Sequence, residues 1–207
     1  MSRARRFAAT LVLLSLVGCG LNLEPQPNPT RYFLMSAVPS EPTAEPALSD
    51  LTIGVGPLWF APYLTQSKLV TRVDANQVAF AEFERWAEPF DKHVERVLGQ
   101  TLFNLLAPNW MVPYPWIGSD TPLLRVEASF WRFDRMPDGG TEIEVDWLVR
   151  ETETDEILAS GDQVLRAEAL GAGGAVTTDQ TVAAMSQALG ELSAILAEAV
   201  RQAAENR

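Results

Sequence analysis

The chain has 207 residues, a formal net charge of −11 at pH 7 and a single cysteine, Cys19. One cysteine excludes an intramolecular disulfide, a cysteine-built zinc site and a CxxC redox pair. The acidic balance argues against non-specific nucleic-acid binding, which needs Lys and Arg to neutralise phosphates. A hydrophobic content of 47% supplies a sizeable core and excludes wholesale disorder.

Residues 1–18 are typical of a lipoprotein signal peptide. Three arginines precede an uncharged, largely apolar run over residues 7–17, which is too short to span a bilayer as a helix. The run ends in Leu16-Val17-Gly18-Cys19, which matches the bacterial lipobox. We therefore predict cleavage before Cys19 and acylation of its thiol, with a fatty acid such as palmitate. The alternatives are an ordinary signal peptide with a chance cysteine, or a buried structural thiol.

Processing changes both the charge and the predicted location of the chain. Removing residues 1–18 takes away three arginines and no acid, so the net charge changes from −11 to −14. Gly20, rather than Asp, follows the acylated position, and this favours sorting to the outer membrane. Residues 19–49 are a proline-rich tether, interrupted by a predicted first strand at residues 32–35. The 13 residues from Cys19 to Tyr32 would reach roughly 40 Å in polyproline conformation.

The first half of the folded region predicts three strands and a helix. Residues 51–57 alternate apolar and small side chains and end in Gly56-Pro57, which predicts a strand and its stop. Residues 69–73 and 77–81 predict a hairpin, because turn-forming residues separate two β-prone runs. Apolar residues then recur at steps of three and four from Pro89 until Pro108, which predicts a helix.

The second half predicts an antiparallel meander and a final helix. Residues 110–114 form a short strand, and residues 123–135, 141–150 and 157–168 form three longer ones, of which the first two alternate strictly. Trp131 and Phe133 lie on the second face of this sheet, so we expect a helix to cover part of it. Thr177 and Gln180 have capping-box spacing, and an apolar stripe continues to about residue 203. The predicted fold is α+β, a two-layer sandwich of a mostly antiparallel sheet and two helices, with residues 50–207 as one domain.

Few residues could carry catalysis. His93 is the only histidine, and we interpret it as a residue at the boundary of the helix stripe rather than as a catalytic base. Glu142, Glu144 and Asp146 alternate along one strand and could resemble a glycosidase pair, but a solvated strand face has the same pattern. The chain has no nucleotide-binding or serine-hydrolase motif. We predict no catalytic residue, no metal and no cofactor.

Several short motifs, taken in order, resemble the PqiC-like family of ABC-type transport auxiliary lipoproteins. After the lipobox come Tyr32-Phe33-Leu34, Ile53-Gly54-Val55-Gly56-Pro57, Pro62-Tyr63-Leu64, Leu69-Val70-Thr71-Arg72, Arg85-Trp86-Ala87-Glu88-Pro89 and Tyr114-Pro115-Trp116. The similarity covers nearly the whole mature chain. One segment departs from it, because the family usually has Asp-Arg-Pro-Gln where this chain has Thr65-Gln66-Ser67-Lys68.

The resemblance implies a fold, a location and partners. The fold would be an α/β sandwich similar to the N-terminal domain of TolB. The protein would be a non-enzymatic lipoprotein of the outer membrane, facing the periplasm. It would work with an MCE-domain protein and an inner-membrane permease in moving phospholipid or other hydrophobic molecules between membranes. A homo-oligomer is plausible because MCE partners form rings.

We predict that the loop over residues 62–72 and the corner over residues 85–89 dock the partner, since they combine aromatic, proline and charged residues outside regular elements. The candidate docking residues are Pro62, Tyr63, Leu64, Arg72, Arg85, Trp86 and Glu88. The motif residues with a structural role are Gly54, Gly56, Pro57, Pro89, Pro115 and Trp116.

Two other functions remain open at this point. The first is a carrier that binds lipid or glycan between sheet and helices, which would need a cavity lined by core aromatics. The second is a hydrolase that uses His93 or two facing carboxylates.

Overall fold

The structure is a computed structural model that describes residues 27–38, 48–118, 121–170 and 175–207. These residues form one sheet of eight strands and two helices. The strands are β1 (Arg31–Phe33), β2 (Thr52–Phe60), β3 (Lys68–Arg72), β4 (Val78–Trp86), β5 (Trp110–Pro113), β6 (Leu124–Arg135), β7 (Thr141–Glu151) and β8 (Ile157–Ala167). The helices are α1 (Phe90–Leu106) and α2 (Thr178–Glu205). The predicted signal peptide, Cys19 and most of the predicted tether lie outside the described residues.

The sheet is mixed, so the prediction of a mostly antiparallel sheet is not confirmed. Strand β6 pairs with β7 antiparallel along one side and with β2 and then β3, both parallel, along the other. Parallel pairs also join β1 to β4 and β2 to β5. Alternation of apolar residues reports which face of a strand is buried but not the direction of its neighbour, which is why sequence could not give these parallel pairs.

The hairpin and the meander are confirmed. β3 and β4 pair antiparallel around a turn in which the Val73 amide donates to the Gln77 carbonyl. β6, β7 and β8 form the predicted antiparallel series. The end predicted for the second strand is wrong, because β2 continues through Gly56-Pro57 to Phe60. The strand accommodates the proline with a register shift between Val55 and Leu58.

Both helices pack on the sheet and on each other. The predicted capping box begins α2, since the Thr177 hydroxyl accepts from the Gln180 amide and the Gln180 side chain accepts from the Thr177 amide. α1 ends at Leu106, and the capping residue that follows, Ala107, has a positive φ of 43° directly before Pro108. The α+β class with two helices on a sheet is therefore confirmed.

A bulge in β6 changes which side chains enter the core. Its register against β7 shifts between Phe130 and Arg132. As a result Phe130 and Phe133 both lie on the core face, although they are three positions apart, and Trp131 stays 46% exposed on the other face. Our expectation that a helix covers Trp131 and Phe133 on a second face is wrong, because strict alternation does not hold across a bulge.

Candidate docking surfaces

The Gly54-Val55-Gly56 and Tyr114-Pro115-Trp116 motifs meet in space. A Cβ atom added to Gly54 would lie 2.5 Å from the Trp116 ring, and one added to Gly56 would lie 2.8 Å from Tyr114 Cβ. Gly56 also has a φ of 129°, which L side chains rarely adopt. The two aromatic rings therefore leave no room for a side chain at position 54 or 56. Both motif prolines, Pro57 and Pro115, follow cis peptide bonds.

This packing supports an exposed apolar surface at β5. Trp110 is 64% exposed and Ile117 is 78% exposed, and Tyr114 lies between them in sequence and is also exposed. In the described part of the chain β5 pairs with β2 alone, so its outer edge has no neighbouring strand. We call Trp110, Tyr114 and Ile117 the β5 rim. A cavity of about 530 Å³ beside it is lined by Thr52, Trp110, Val112, Pro113, Pro115, Ile117 and Thr121.

The predicted docking loop is tied to the sheet by a buried charged cluster. The Arg72 Nη2 atom lies 2.8 Å from Oδ2 of Asp134, whose side chain is fully buried. The Tyr63 hydroxyl donates to the same Oδ2 at 3.0 Å and accepts from Arg72 at 3.0 Å. Arg132 approaches the other carboxylate oxygen, with Nε at 3.8 Å from Oδ1, and forms an ion pair with Glu142.

The electrostatics of this cluster follow from its burial. Burial, followed by the charge and hydrogen bond of Asp134, raises the pKa of Tyr63 well above its usual value. Burial alone would lower the pKa of Arg72, but the hydrogen bond and charge of Asp134 outweigh it, so that pKa is raised. Tyr63 and Arg72 thus stay protonated and hold one another in place. Leu64 in the same loop is a core side chain, whereas Pro62 is exposed.

The predicted docking corner is also largely engaged. Trp86 is buried, with its ring centroid 5.4 Å from that of Phe90. The Glu88 carboxylate accepts from Arg96 at 2.5 Å, and this hydrogen bond lowers the pKa of Glu88. Pro89 directly precedes the first residue of α1. Of this corner's charged side chains, only Arg85 has no polar partner in the described part of the chain.

His93 is fully buried, so our interpretation of it as a boundary residue is wrong. Its Nε2 atom accepts the Met35 amide at 2.7 Å and therefore joins α1 to the segment after β1. Its Nδ1 atom is buried and has no partner among the described residues. Burial lowers the pKa of His93 against the opposing effects of the Met35 carbonyl and Glu88, so the ring is neutral. The helix periodicity missed this because His93 lies at the edge of the stripe.

The strand carboxylates have polar partners or lie on the outward face of β7. Glu142 pairs with Arg132, and Asp146 accepts the Trp131 indole N–H at 2.7 Å. No group of three or more metal-ligating side chains occurs among residues 27–38, 48–118, 121–170 and 175–207. Neither helix of the described region combines the length and the apolar character that crossing a bilayer requires.

Lys68 is a candidate that sequence reasoning missed. It is the β3 residue directly opposite Arg85 on β4. The only signal in the sequence is its place in the Thr65-Gln66-Ser67-Lys68 segment, where the chain departs from the pattern of the family that it resembles.

Comparison with known proteins connects this geometry to a family and a fold. The family model described as "ABC-type transport auxiliary lipoprotein component" matches residues 32–197. The crystal structure of protein XCC0632 from Xanthomonas campestris, of family DUF330, superposes with a TM-score of 0.70 at 14% identity, covering 85% of this chain and 99% of the other. A crystal structure of an uncharacterised protein superposes with a TM-score of 0.65 at 20% identity, covering 83% and 98%. At these identities the structures establish the fold alone. No curated protein sequence matches the chain.

Proposed function

The chain belongs to the family of ABC-type transport auxiliary lipoprotein components, and from this premise we propose that it docks an envelope-spanning MCE assembly at the outer membrane. It is anchored there by acylated Cys19 and faces the periplasm. The MCE-domain protein and an inner-membrane permease of the same system are its partners, and hydrophobic molecules such as phospholipids are the cargo. The protein itself catalyses no reaction.

The exposed apolar β5 rim is the observation that supports a docking role. Large apolar side chains that face solvent at a sheet edge are typical of interaction surfaces when they adjoin one another. Tyr114 of the rim is held against Gly56, so this ring loses little freedom on binding. Among the residues predicted for docking, Tyr63, Arg72 and Glu88 are engaged internally. Leu64 and Trp86 are buried, which leaves Pro62 and Arg85 as candidates for direct contact.

The packing of the core aromatics disfavours the carrier alternative. The Phe60 and Phe130 rings stack with centroids 4.8 Å apart, and Phe90 contacts both Phe60 and Phe133. In the described part of the chain these rings pack against one another between the sheet and α1. A lipid carrier would instead need them to line a cavity.

Co-purification from membranes tests the proposal. We expect the MCE-domain protein encoded beside this chain to be recovered with the wild-type protein and lost with a Trp110→Ala/Ile117→Ala variant. Val164→Ala is the matched control, because Val164 is also an exposed apolar residue on an edge strand, β8. Absence of MCE protein with the wild type would overturn the function, whereas equal recovery with the rim variant would overturn only the docking surface. Cys19→Ala should abolish recovery from the membrane fraction.

A further inference from the structure

Two cations face each other on the outward side of the sheet. Lys68 on β3 and Arg85 on β4 are direct register partners in an antiparallel pair. Their neighbours in the chain, Leu69 and Trp86, point into the core, so Lys68 and Arg85 share the opposite face. In such pairs the side chains lie side by side.

Neither cation has a polar partner in the described part of the chain. Every other Lys or Arg there forms an ion pair or a hydrogen bond. Like charges directly opposite each other destabilise a sheet. In a chain with 27 acidic residues, two adjacent cations without an ion-pair partner in the described region form a local site of positive potential that lacks its anion.

The strand next to this pair brings the chain in from its N-terminal region. β1 pairs in parallel with β4, and Tyr32 is the register partner of Arg85. Tyr32 is 65% exposed, and Leu34 is exposed two residues further on. The surface therefore combines two cations with an aromatic and an aliphatic side chain at the point where the segment that leads back to Cys19 enters the fold.

We propose that this surface, formed by Tyr32, Leu34, Lys68 and Arg85, rests on the membrane, with both cations at the phosphate groups of anionic lipid headgroups. The proposal rests on the lipid anchor included in the proposed function. Tyrosine and long cationic side chains are the residues that favour the membrane interface.

The anchor is what makes so small a surface effective. Each cation near an anionic lipid surface contributes roughly fivefold in local binding, so the pair contributes roughly 25-fold. Tyr32 is 13 positions from Cys19, so the chain between them holds the surface within roughly 40 Å of the lipid, which gives it a high effective concentration. The rest of the protein is acidic and is repelled by the anionic lipid surface. The cation pair therefore sets the orientation of the protein, whereas the lipid anchor attaches it.

Spin labels on the acylated, full-length mature protein test this orientation. One label is placed at Gln66→Cys, an exposed position beside Lys68, and one at Val164→Cys on β8, at the opposite edge of the sheet. The protein is bound to vesicles of phosphatidylglycerol and phosphatidylethanolamine that carry a nickel-chelating lipid. We expect nickel to relax the label at position 66 several-fold more than the label at position 164. Raising salt from about 0.1 M to about 1 M shortens the screening length from about 10 Å to about 3 Å and should remove the difference.

Substitutions identify the residues responsible. Lys68→Gln/Arg85→Gln should reduce the relaxation at position 66 to the level at position 164. Lys92→Gln/Arg166→Gln removes the same charge from α1 and β8 and should leave the difference intact. Equal relaxation of the two labels in the wild type, or no effect of Lys68→Gln/Arg85→Gln, would overturn the proposal. The vesicles contain no transport partner, so a failure here is distinct from a failure to co-purify the MCE protein.

Discussion

The basic residues at the two ends of strand β3 lie in opposite electrostatic environments. At one end Arg72 lies against the fully buried Asp134 and shares it with Tyr63. At the other end, four residues earlier, Lys68 faces a second cation, Arg85, and neither has an acidic partner in the described region. A basic residue in a strand therefore has no fixed role. Its role depends on whether the fold brings a carboxylate to the same face of the sheet.

The comparison separates a structural use of charge from a binding use. A buried carboxylate between cations is costly to disrupt, because removing one partner leaves an unpaired buried charge. A half-buried pair of like charges without an acidic partner adds nothing to stability and is available for an external anion. The predicted docking residue Arg72 belongs to the first group, whereas Arg85 belongs to the second.

The largest expected effect comes from removing the buried charge. Asp134→Asn leaves Arg72 and Arg132 without the anion between them, and we expect the free energy of unfolding to fall by about 3 kcal/mol. Urea denaturation at pH 7 would measure this. A change below about 0.5 kcal/mol would place Asp134 with ordinary surface residues and remove the contrast between the two ends of β3.

A double substitution provides the control. Arg72→Met/Asp134→Leu removes both charges and keeps apolar volume, so it should cost less than the sum of the two single substitutions. Strict additivity would contradict the coupling between the two side chains.

His93 combines features of the two ends of β3. It is buried like Asp134, but one of its ring nitrogens has no partner among the described residues, as is the case for Lys68 and Arg85. We expect His93→Gln to lower the free energy of unfolding by about 2 kcal/mol at pH 7, because a buried hydrogen bond and its packing are lost.

The pH dependence sharpens this test. Because the pKa of His93 is lowered in the folded state, the unfolded chain binds more protons as the pH falls through its ordinary value of 6.5. Wild-type stability should therefore drop from about pH 6.5 downward until the lowered folded pKa is reached, by up to about 1.4 kcal/mol per pH unit. His93→Gln should show no drop in that range. The depressed pKa of Glu88 acts only below about pH 4.5, so the two can be separated.

A smaller effect is expected for the tyrosine of the buried cluster. Tyr63→Phe removes the hydroxyl that links Arg72 to Asp134 but keeps the ring beneath the Arg72 guanidinium. We expect a loss of about 1.5 kcal/mol in chemical denaturation, the value typical of a hydrogen bond to a charged group. Tyr63→Leu, which also removes the ring, should cost more, and equal costs would assign the whole effect to the hydroxyl and none to the ring.

The smallest effect is expected at the free cations. Lys68→Gln/Arg85→Gln should change the free energy of unfolding by less than about 0.5 kcal/mol, with stabilisation as the expected sign because a like-charge pair is removed. Thermal denaturation at low salt would detect it. A loss above 1 kcal/mol would show that the pair has a structural role and would erase its difference from Arg72.

The sequence predicted those elements that depend on residues close to one another in the chain. The α2 capping box, the α1 stop before Pro108 and the β6 to β8 series follow from spacing and alternation over a few residues. The continuation of β2 through Gly56-Pro57 could not be predicted, because it depends on the pairing of residues 58–60 with β6, a distant part of the chain.

The candidate sites could not be predicted from the sequence either, because their residues are distant in the chain. Tyr63, Arg72 and Asp134 are spread over more than 70 positions, and the parallel pairing of β6 with β2 and β3 brings them together. Likewise, Lys68 and Arg85 become a pair only through the antiparallel register of β3 and β4. Sequence singled out Arg85 as unusual but could not supply its neighbour.

The short strand β1 also has a mechanical consequence. A chain anchored at Cys19 transmits any tension from the membrane to the fold at Arg31, the first residue of β1. Three register pairs with β4, the Arg31 to Asp179 ion pair and the Met35 to His93 hydrogen bond then bear that load before the rest of the sheet does. Under tension, β1 should detach from β4 first and lengthen the tether, while the helices and the meander stay folded. With the proposed anchor at Cys19, β1 would thereby serve as an extensible joint between the anchor and the folded domain.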